Sequence, residues 1–204
     1  RGHFQVPVWG DFLVKHGMVL GSPEVCSALM KAGQHVLVFP GGAREVMRRK
    51  GEAYNLIWKQ RAGFARLAIE HGYDIIPFGS VGPDESYKIL IDANDITKPG
   101  WRHDLAERTG LLKRTRNGDF IPPIAAGLGL TPIPKPQRYY FGFGERISTA
   151  HLQGQEGDKD VVWAIREQVA GAVEEQIEKL KQYREEDRRQ NWSTVRRWLA
   201  PLYT

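Results

Sequence analysis

The run "HVLVFPGG", residues 35–42, constrains this chain more than any other stretch. Val36 to Phe39 are apolar in succession, two of the four are β-branched, and neither face of an extended segment would show a polar side chain to water. That pattern predicts a strand buried on both faces, as in a parallel sheet. Pro40 lacks a backbone donor, and Gly41 and Gly42 leave a turn free of side chains. A helical pattern follows in "NLIWKQRAGFARLAIEHG" (55–72), where Leu56, Phe64, Leu67 and Ala68 form a stripe that Gly72 ends. "DIIPF" (74–78) then reads as a second strand. Strand, helix and strand at this spacing predict a right-handed βαβ unit. The expected fold class is α/β, with a mainly parallel central sheet flanked by helices, in a single domain over residues 1–204.

Flanking patterns are consistent with one domain. Residues 7–17 predict a short amphipathic helix closed by Gly17. Ser22 and Pro23 open a second helix as N-cap and first helical residue, with Val25, Cys26, Leu29 and Met30 inward and a stop at Gly33. Between Gly79 and Arg138 the periodicity weakens to a short strand in "YKILID" and the proline-rich "TPIPKP", so a surface excursion or part of a groove is expected. "RYYFGFGERI" (138–147) reads as a late strand whose glycines mark a close approach. Residues 161–183 carry Val162, Ile165, Val169, Val173, Ile177 and Leu180 along one side of a long helix. "NWSTVRRWLAPLYT" ends the chain with Trp192, Trp198 and Leu199 beside Arg196 and Arg197.

Charge narrows the possible partners. The formal net charge of the 204 residues is +5, which suggests an anionic partner without choosing among lipid surface, nucleic acid and small phosphate. Residues 43–66 hold Arg44, Arg48, Arg49, Lys50, Lys59, Arg61 and Arg66 against only Glu45 and Glu52, so the positive charge is concentrated beside the glycine turn. Cys26 is the only cysteine. It permits no intrachain disulfide and no cysteine-rich metal site, and it suits a reducing compartment. No metal is expected, and no segment approaches the roughly 18 apolar residues of a spanning helix. The G-x-x-x-x-G-K-[ST] loop is absent, Gly127-x-Gly129 and Gly142-x-Gly144 lack a third glycine, and Gly79 adjoins Ser80, so G-x-S-x-G fails. Nucleic-acid binding rests on charge alone, with no helix-turn-helix, RRM or zinc pattern.

"FPGGAREVMRRKGEAYNLIW" resembles the phosphate-binding block of the glycerolipid and lysophospholipid acyltransferase superfamily, in the branch of diacylglycerol acyltransferases and plant phytyl ester synthases. "HGMVLGSPEVCSALMKAG" before it and "RAGFARLAIEHGYDIIPFGSVG" after it resemble that block's neighbours, over about residues 3–82. The resemblance implies transfer of a fatty acyl group from acyl-CoA or acyl carrier protein, as co-substrate rather than cofactor, to a glycerolipid or other lipid hydroxyl. A histidine of an H-x-x-x-x-D motif would be the general base, held by the aspartate.

That motif is absent from residues 1–204. The resemblance places it upstream of Arg1, so no catalytic residue is expected in this chain, which would be incompetent by itself. His151 and Glu156 have the spacing with Glu for Asp, but in a polar, glycine-rich stretch that reads as a loop. His3 has a family position near the site, though a structural or solvent role is the expectation; His16, His35, His71 and His103 have no motif support.

Carried over by position, Pro40, Gly41, Gly42, Arg44 and Glu45 would form the acceptor or phosphate site. Arg44 would fork a phosphate, or else pin the turn through a salt bridge with Glu45. Gly-Gly in place of the family's Glu-Gly form favours a neutral or bulkier acceptor. Pro77 would shape the pocket wall, and Arg48, Arg49 and Lys50 would meet CoA phosphates or lipid headgroups, or water. The expected location is a membrane surface on its cytoplasmic side. The alternative is a non-catalytic lipid- or membrane-binding module with the same fold.

Overall fold

The structure, a computed structural model, describes residues 7–109 and 121–190. His3 and the tryptophan- and arginine-rich stretch 191–204 lie outside the described residues. The chain divides into two compact units.

The first unit draws on residues 7–39, 62–75 and 147–166. Helix α1, Trp9–Lys15, buries Leu13 and is followed by Gly17 at φ 80°. Helix α2, Pro23–Lys31, starts as its sequence requires: the Ser22 hydroxyl accepts from the Val25 N–H at 3.4 Å, with Pro23 at the first helical position. Its inward residues Val25, Cys26, Leu29 and Met30 are only half-buried. We label Gly63–His71 α4, since a short helix α3, Gly42–Val46, precedes it in the chain. Helix α4 buries Ala65, Leu67, Ala68 and Ile69 and closes on Gly72 in the left-handed conformation, where an L side chain would be strained. Helices α2 and α4 meet through Ser27 and His71, whose Oγ and Nε2 lie 2.8 Å apart, and through the Tyr73 hydroxyl, which donates to the Met30 carbonyl at 2.7 Å. Thr149 is fully buried with its hydroxyl 2.8 Å from the carbonyls of both Ala68 and Tyr73.

The second unit draws on residues 40–61, 76–109, 121–146 and 167–190. Strand β1, Phe78–Val81, pairs antiparallel with β4, Tyr140–Phe143; β2, Lys88–Ile91, pairs antiparallel with β3, Ile124–Ala126. Helices α5, Ala93–Thr97, and α6, Trp101–Arg108, lie between β2 and β3 in the chain. The last helix, α7, spans Lys159–Gln190. It lies on the β1–β4 ribbon where Gly79 faces Gly142 in register. A Cβ on Gly79 would stand 2.9 Å from the Gln176 Cβ, and one on Gly142 3.3 Å from the Leu180 side chain. The glycines of the late strand therefore do mark a close approach, and the occupant is α7. Its buried stripe includes Val162, Ile165, Val169, Val173 and Ile177, at the 3.6-residue period.

The parallel central sheet is not found: all strand pairing among the described residues is antiparallel, in two separate two-stranded ribbons. Residues 35–39 form no ladder among the described residues, and Leu37 and Phe39 are 72% and 65% exposed. Of "DIIPF", Ile75 makes an isolated antiparallel bridge with Ile147, and only Phe78 enters a strand. The physical reason is that an apolar run specifies a preference for burial but not a partner. The partner of β1 lies some sixty residues away, in "YFGF", and the ribbon is covered on one face by α7 while Phe78, Phe141 and Phe143 cluster on the other. The weakly periodic region 79–138 also contains two helices that its hydrophobic pattern did not announce. Helix α5 is set by a capping box instead: Asp92 accepts from the Asn94 and Asp95 N–H groups, and Asp95 accepts from the Asp92 N–H. Among the described residues, no helix is long and apolar enough to cross a membrane.

Candidate functional site

The Pro40–Gly41–Gly42 turn leads directly into α3, and its interior is occupied by the chain's own side chains. The Arg61 guanidinium donates to the Pro40 carbonyl at 3.1 Å and to the Gly41 carbonyl. Glu45, one turn into α3, folds its carboxyl over Gly41, where an added Cβ would fall 2.0 Å from the Glu45 Cδ. The same carboxylate accepts from the Ile57 N–H at 3.0 Å. Gly42 has φ 53°, a conformation that favours glycine. Four of the expected site residues, Pro40, Gly41, Gly42 and Glu45, thus converge, with Arg61 as a further member.

Arg44 is placed differently. It is 8% exposed and forks Glu52, with Nη1 2.9 Å from Oε2 and Nη2 2.5 Å from Oε1; Nη1 also donates to the Met47 carbonyl at 3.2 Å. The salt bridge that pins this segment is made with Glu52 and not with Glu45. Burial works against the Glu52 carboxylate, but hydrogen bonds from Arg44 and from the Arg49 N–H, with the charges of both arginines, hold its pKa below the usual value.

Arg48, Arg49 and Lys50 of the basic block are paired within their own unit. Arg48 donates to the carbonyls of Glu52 and Asn55 at 2.7 and 2.6 Å and faces Asp84 at 3.2 Å. Arg49 donates to Asn94 Oδ1 at 2.7 Å. The Lys50 N–H donates to Asp92 and its ammonium to Asp95, each at 2.7 Å. Arg66 belongs to the other unit. Within the concentration of charge in residues 43–66, Arg48 and Lys50 are thus answered by carboxylates of residues 84–95. Arg49 is answered by the Asn94 amide, Arg44 by Glu52 and Arg61 by backbone carbonyls.

Pro77 is fully buried, and its carbonyl accepts from the Gly144 N–H at 2.8 Å; it seats the end of the β1–β4 ribbon. It does not line the open depression of about 460 Å³ in the same unit, which is bounded by Tyr54, Asn55, Leu56, Glu174, Ile177, Glu178 and Lys181. Beside that depression stands a polar cluster that motif reading missed. The Tyr54 hydroxyl donates to Glu85 at 2.6 Å, Arg184 holds both Glu85 oxygens at 2.8 Å, and the Lys181 ammonium lies 5.0 Å from the Tyr54 ring centre. Burial and the Glu85 carboxylate push the Tyr54 phenol up to about 12. A signal was present: Lys181 and Arg184 follow Ile177 on the inward face of α7, where polar residues need partners.

The imidazoles of His16, His71 and His103 have local neighbours. His16 Nδ1 lies 2.7 Å from the Phe12 carbonyl, His71 pairs with Ser27, and the nearest carboxylates to His71 and His103 are their sequence neighbours Glu70 and Asp104 at 3.7 and 3.6 Å. His35 and His151 are exposed. Among the described residues, no set of three or more His, Cys, Asp or Glu side chains stands close enough to hold a metal ion.

Comparison with known proteins adds the family. The family described as diacylglycerol acyltransferase matches residues 1–148. Phytyl ester synthase 2, chloroplastic, of Arabidopsis thaliana is 36% identical over 170 residues, covering 78% of this chain and 23% of that protein. Phytyl ester synthase 1, chloroplastic, of the same plant is 34% identical over 188 residues, covering 88% and 26%. Human 2-acylglycerol O-acyltransferase 3 is 28% identical over 158 residues, covering 68% and 45%. The matched region is thus about a quarter of the length of the plant relatives and under half of the human one. No solved structure matches the chain. Matched from its first residue through the glycine turn, both ribbons and the late strand, the chain belongs to the diacylglycerol acyltransferase family.

Proposed function

We propose that this chain is part of an O-acyltransferase that moves a fatty acyl group from acyl-CoA or acyl carrier protein to the hydroxyl of an uncharged lipid alcohol. The observation that carries the reading is the family match across the Pro-Gly-Gly turn. In the reaction a general base takes the hydroxyl proton, the oxygen attacks the thioester carbon, and the thiolate leaves, regaining a proton. None of the described histidines is assigned the base.

Pro40, Gly41, Gly42 and Glu45 receive the polar end of the acceptor, and Arg44 positions them by holding α3 to Glu52. An uncharged acceptor is favoured because Arg44, Arg48, Arg49 and Lys50 are already engaged by the protein's own acceptors. Replacing them with a phosphate would forfeit those contacts. The names of the relatives agree in kind, since a phytyl ester and an acylglycerol ester both form on an uncharged alcohol. The reaction is placed at a membrane surface, where both substrates partition, and on its cytoplasmic side.

The test is acyl-CoA transfer by the full-length protein to phytol, diacylglycerol, monoacylglycerol and lysophosphatidate, presented in mixed micelles. Transfer to one or more of the uncharged alcohols, exceeding that to lysophosphatidate, is the expected result. A preference for lysophosphatidate would overturn the acceptor class. Lipid binding without transfer to any acceptor would overturn the enzyme in favour of a binding module.

A further inference from the structure

The β1–β4 ribbon reverses the usual roles of its two faces. Register and strand alternation put Gly79, Val81, Tyr140 and Gly142 toward α7, and Phe78, Ser80, Phe141 and Phe143 away from it. An antiparallel ribbon with one covered face ordinarily turns polar residues outward. Here the close approach of α7 requires glycine on the inner face, and the large rings stand on the open one, where they add nothing to the packing of the helix. The Phe78 and Phe141 rings stack with centres 5.8 Å apart, and Phe143 lies 5.2 Å from Phe78. Neither residues 76–81 nor residues 139–143 include a charged side chain. We propose that this face is a self-association surface, pairing with the same face of a second copy about a twofold axis.

Area, charge and shape favour a second copy as the occupant. Phe141, Phe143, Ile76 and Tyr139 are 57%, 71%, 59% and 45% exposed. At about 200 Å² for a fully exposed large side chain, that is about 450 Å² per copy and about 900 Å² in a contact of two. Casual contacts mostly stay below about 800 Å² and standard interfaces begin near about 1,200 Å². The pair is therefore a weak dimer, with a Kd of about 10 μM. A face without charge does not repel its own copy, and it lacks the counter-charges by which an unlike partner is selected. The four outward positions of the ribbon stand at the corners of a rectangle of about 5 by 7 Å. Rings fill three corners and Ser80 leaves a notch at the fourth, diagonal to Phe143. A twofold axis along the other diagonal, from Phe78 to Phe141, sets Phe143 of each copy over the notch of the other. The strands of the two ribbons then cross close to a right angle, one of the two standard packings of sheet on sheet. The inference stands on this face and not on the acyl-transfer reading.

Sedimentation velocity of the full-length protein over about 1–100 μM, a range that brackets the expected Kd, tests it. The parent is expected to pass from monomer to dimer as concentration rises. Phe143→Ser and Phe141→Ser change exposed rings, so the urea midpoint should hold while association weakens at least about tenfold. Ser80→Trp adds apolar surface but fills the notch, and is expected to weaken association as much. Tighter association of Ser80→Trp would reveal adhesion without shape and overturn the twofold fit. A parent that stays monomeric throughout would overturn the proposal, whether the face is then covered by another part of the chain, by an unlike partner or by nothing.

Discussion

Replacing Arg44 with methionine separates an arginine that holds the protein together from one kept for a ligand. In the structure Arg44 is nearly buried and forks Glu52, whose side chain is 26% exposed. Removing one partner of a buried ion pair costs about 3–5 kcal/mol. Glu52 retains the Arg49 N–H at 2.7 Å and part of its hydration, which lowers the expected cost to about 2–3 kcal/mol. For a chain of this size that is a fall in Tm of roughly 4–12 °C. Glu52→Gln keeps one acceptor for the guanidinium and should cost about 1–2 kcal/mol, and the double variant should show a coupling of about 1–2 kcal/mol. The Glu52 carboxyl is held below its usual 4.5, so its contribution is present above pH 4.5 and is lost as pH falls through the folded value. Arg44→Met should flatten that acid limb. Urea unfolding of the three variants and the parent, at neutral pH and at pH 3–5, measures all of this (the pH range being about that of ordinary carboxyl titration). An unchanged urea midpoint in Arg44→Met, with coupling under about 0.5 kcal/mol, would refute the pinning role and return Arg44 to ligand binding.

Two further changes probe the packing of the same unit. At Gly82, with φ 116°, an added Cβ would stand 2.5 Å from the Arg138 carbonyl oxygen; Gly82→Ala should therefore destabilise by about 2 kcal/mol or more, visible as a fall in urea midpoint, and an unchanged midpoint would contradict the close approach. Tyr54, pushed up from 10.0 to about 12, favours the folded state fully below pH 10 and loses that contribution as pH rises through 12. The stability advantage of the parent over Tyr54→Phe should shrink across that interval, and an advantage that grows with pH would show that the phenol is not held neutral by Glu85.

Local signals in the chain were legible where one residue type answers one local need. Ser22 and Pro23 begin α2, Gly72 ends α4, and the 3.6-residue stripe from Val162 to Ile177 marks the buried face of α7. The late strand was also legible, with Gly142 open to a neighbour. The Asp92–Asp95 capping box is equally local, but it lies in a stretch without hydrophobic period, where a cap alone does not mark a helix. The site was half legible. The glycine turn gathers Pro40, Gly41, Gly42 and Glu45, but the expected partner of Arg44 was its neighbour Glu45, and the fold supplies Glu52.

By itself the sequence determined the start of α2, the end of α4, the buried face of α7 and the family to which the chain belongs, because capping, periodicity and motif are short-range properties. Its pattern ran α4 back to residue 55, whereas the helix begins at Gly63. Only the tertiary structure decided that β1 pairs with residues 140–143 and runs antiparallel, since an apolar strand carries no record of its partner or its direction. It also decided what the basic block faces. Seven cations beside a turn suggest an anion from outside, and the carboxylates that answer Arg48 and Lys50 lie more than thirty residues along the chain. Charge is written residue by residue, whereas neutralisation depends on distances that exist only after folding.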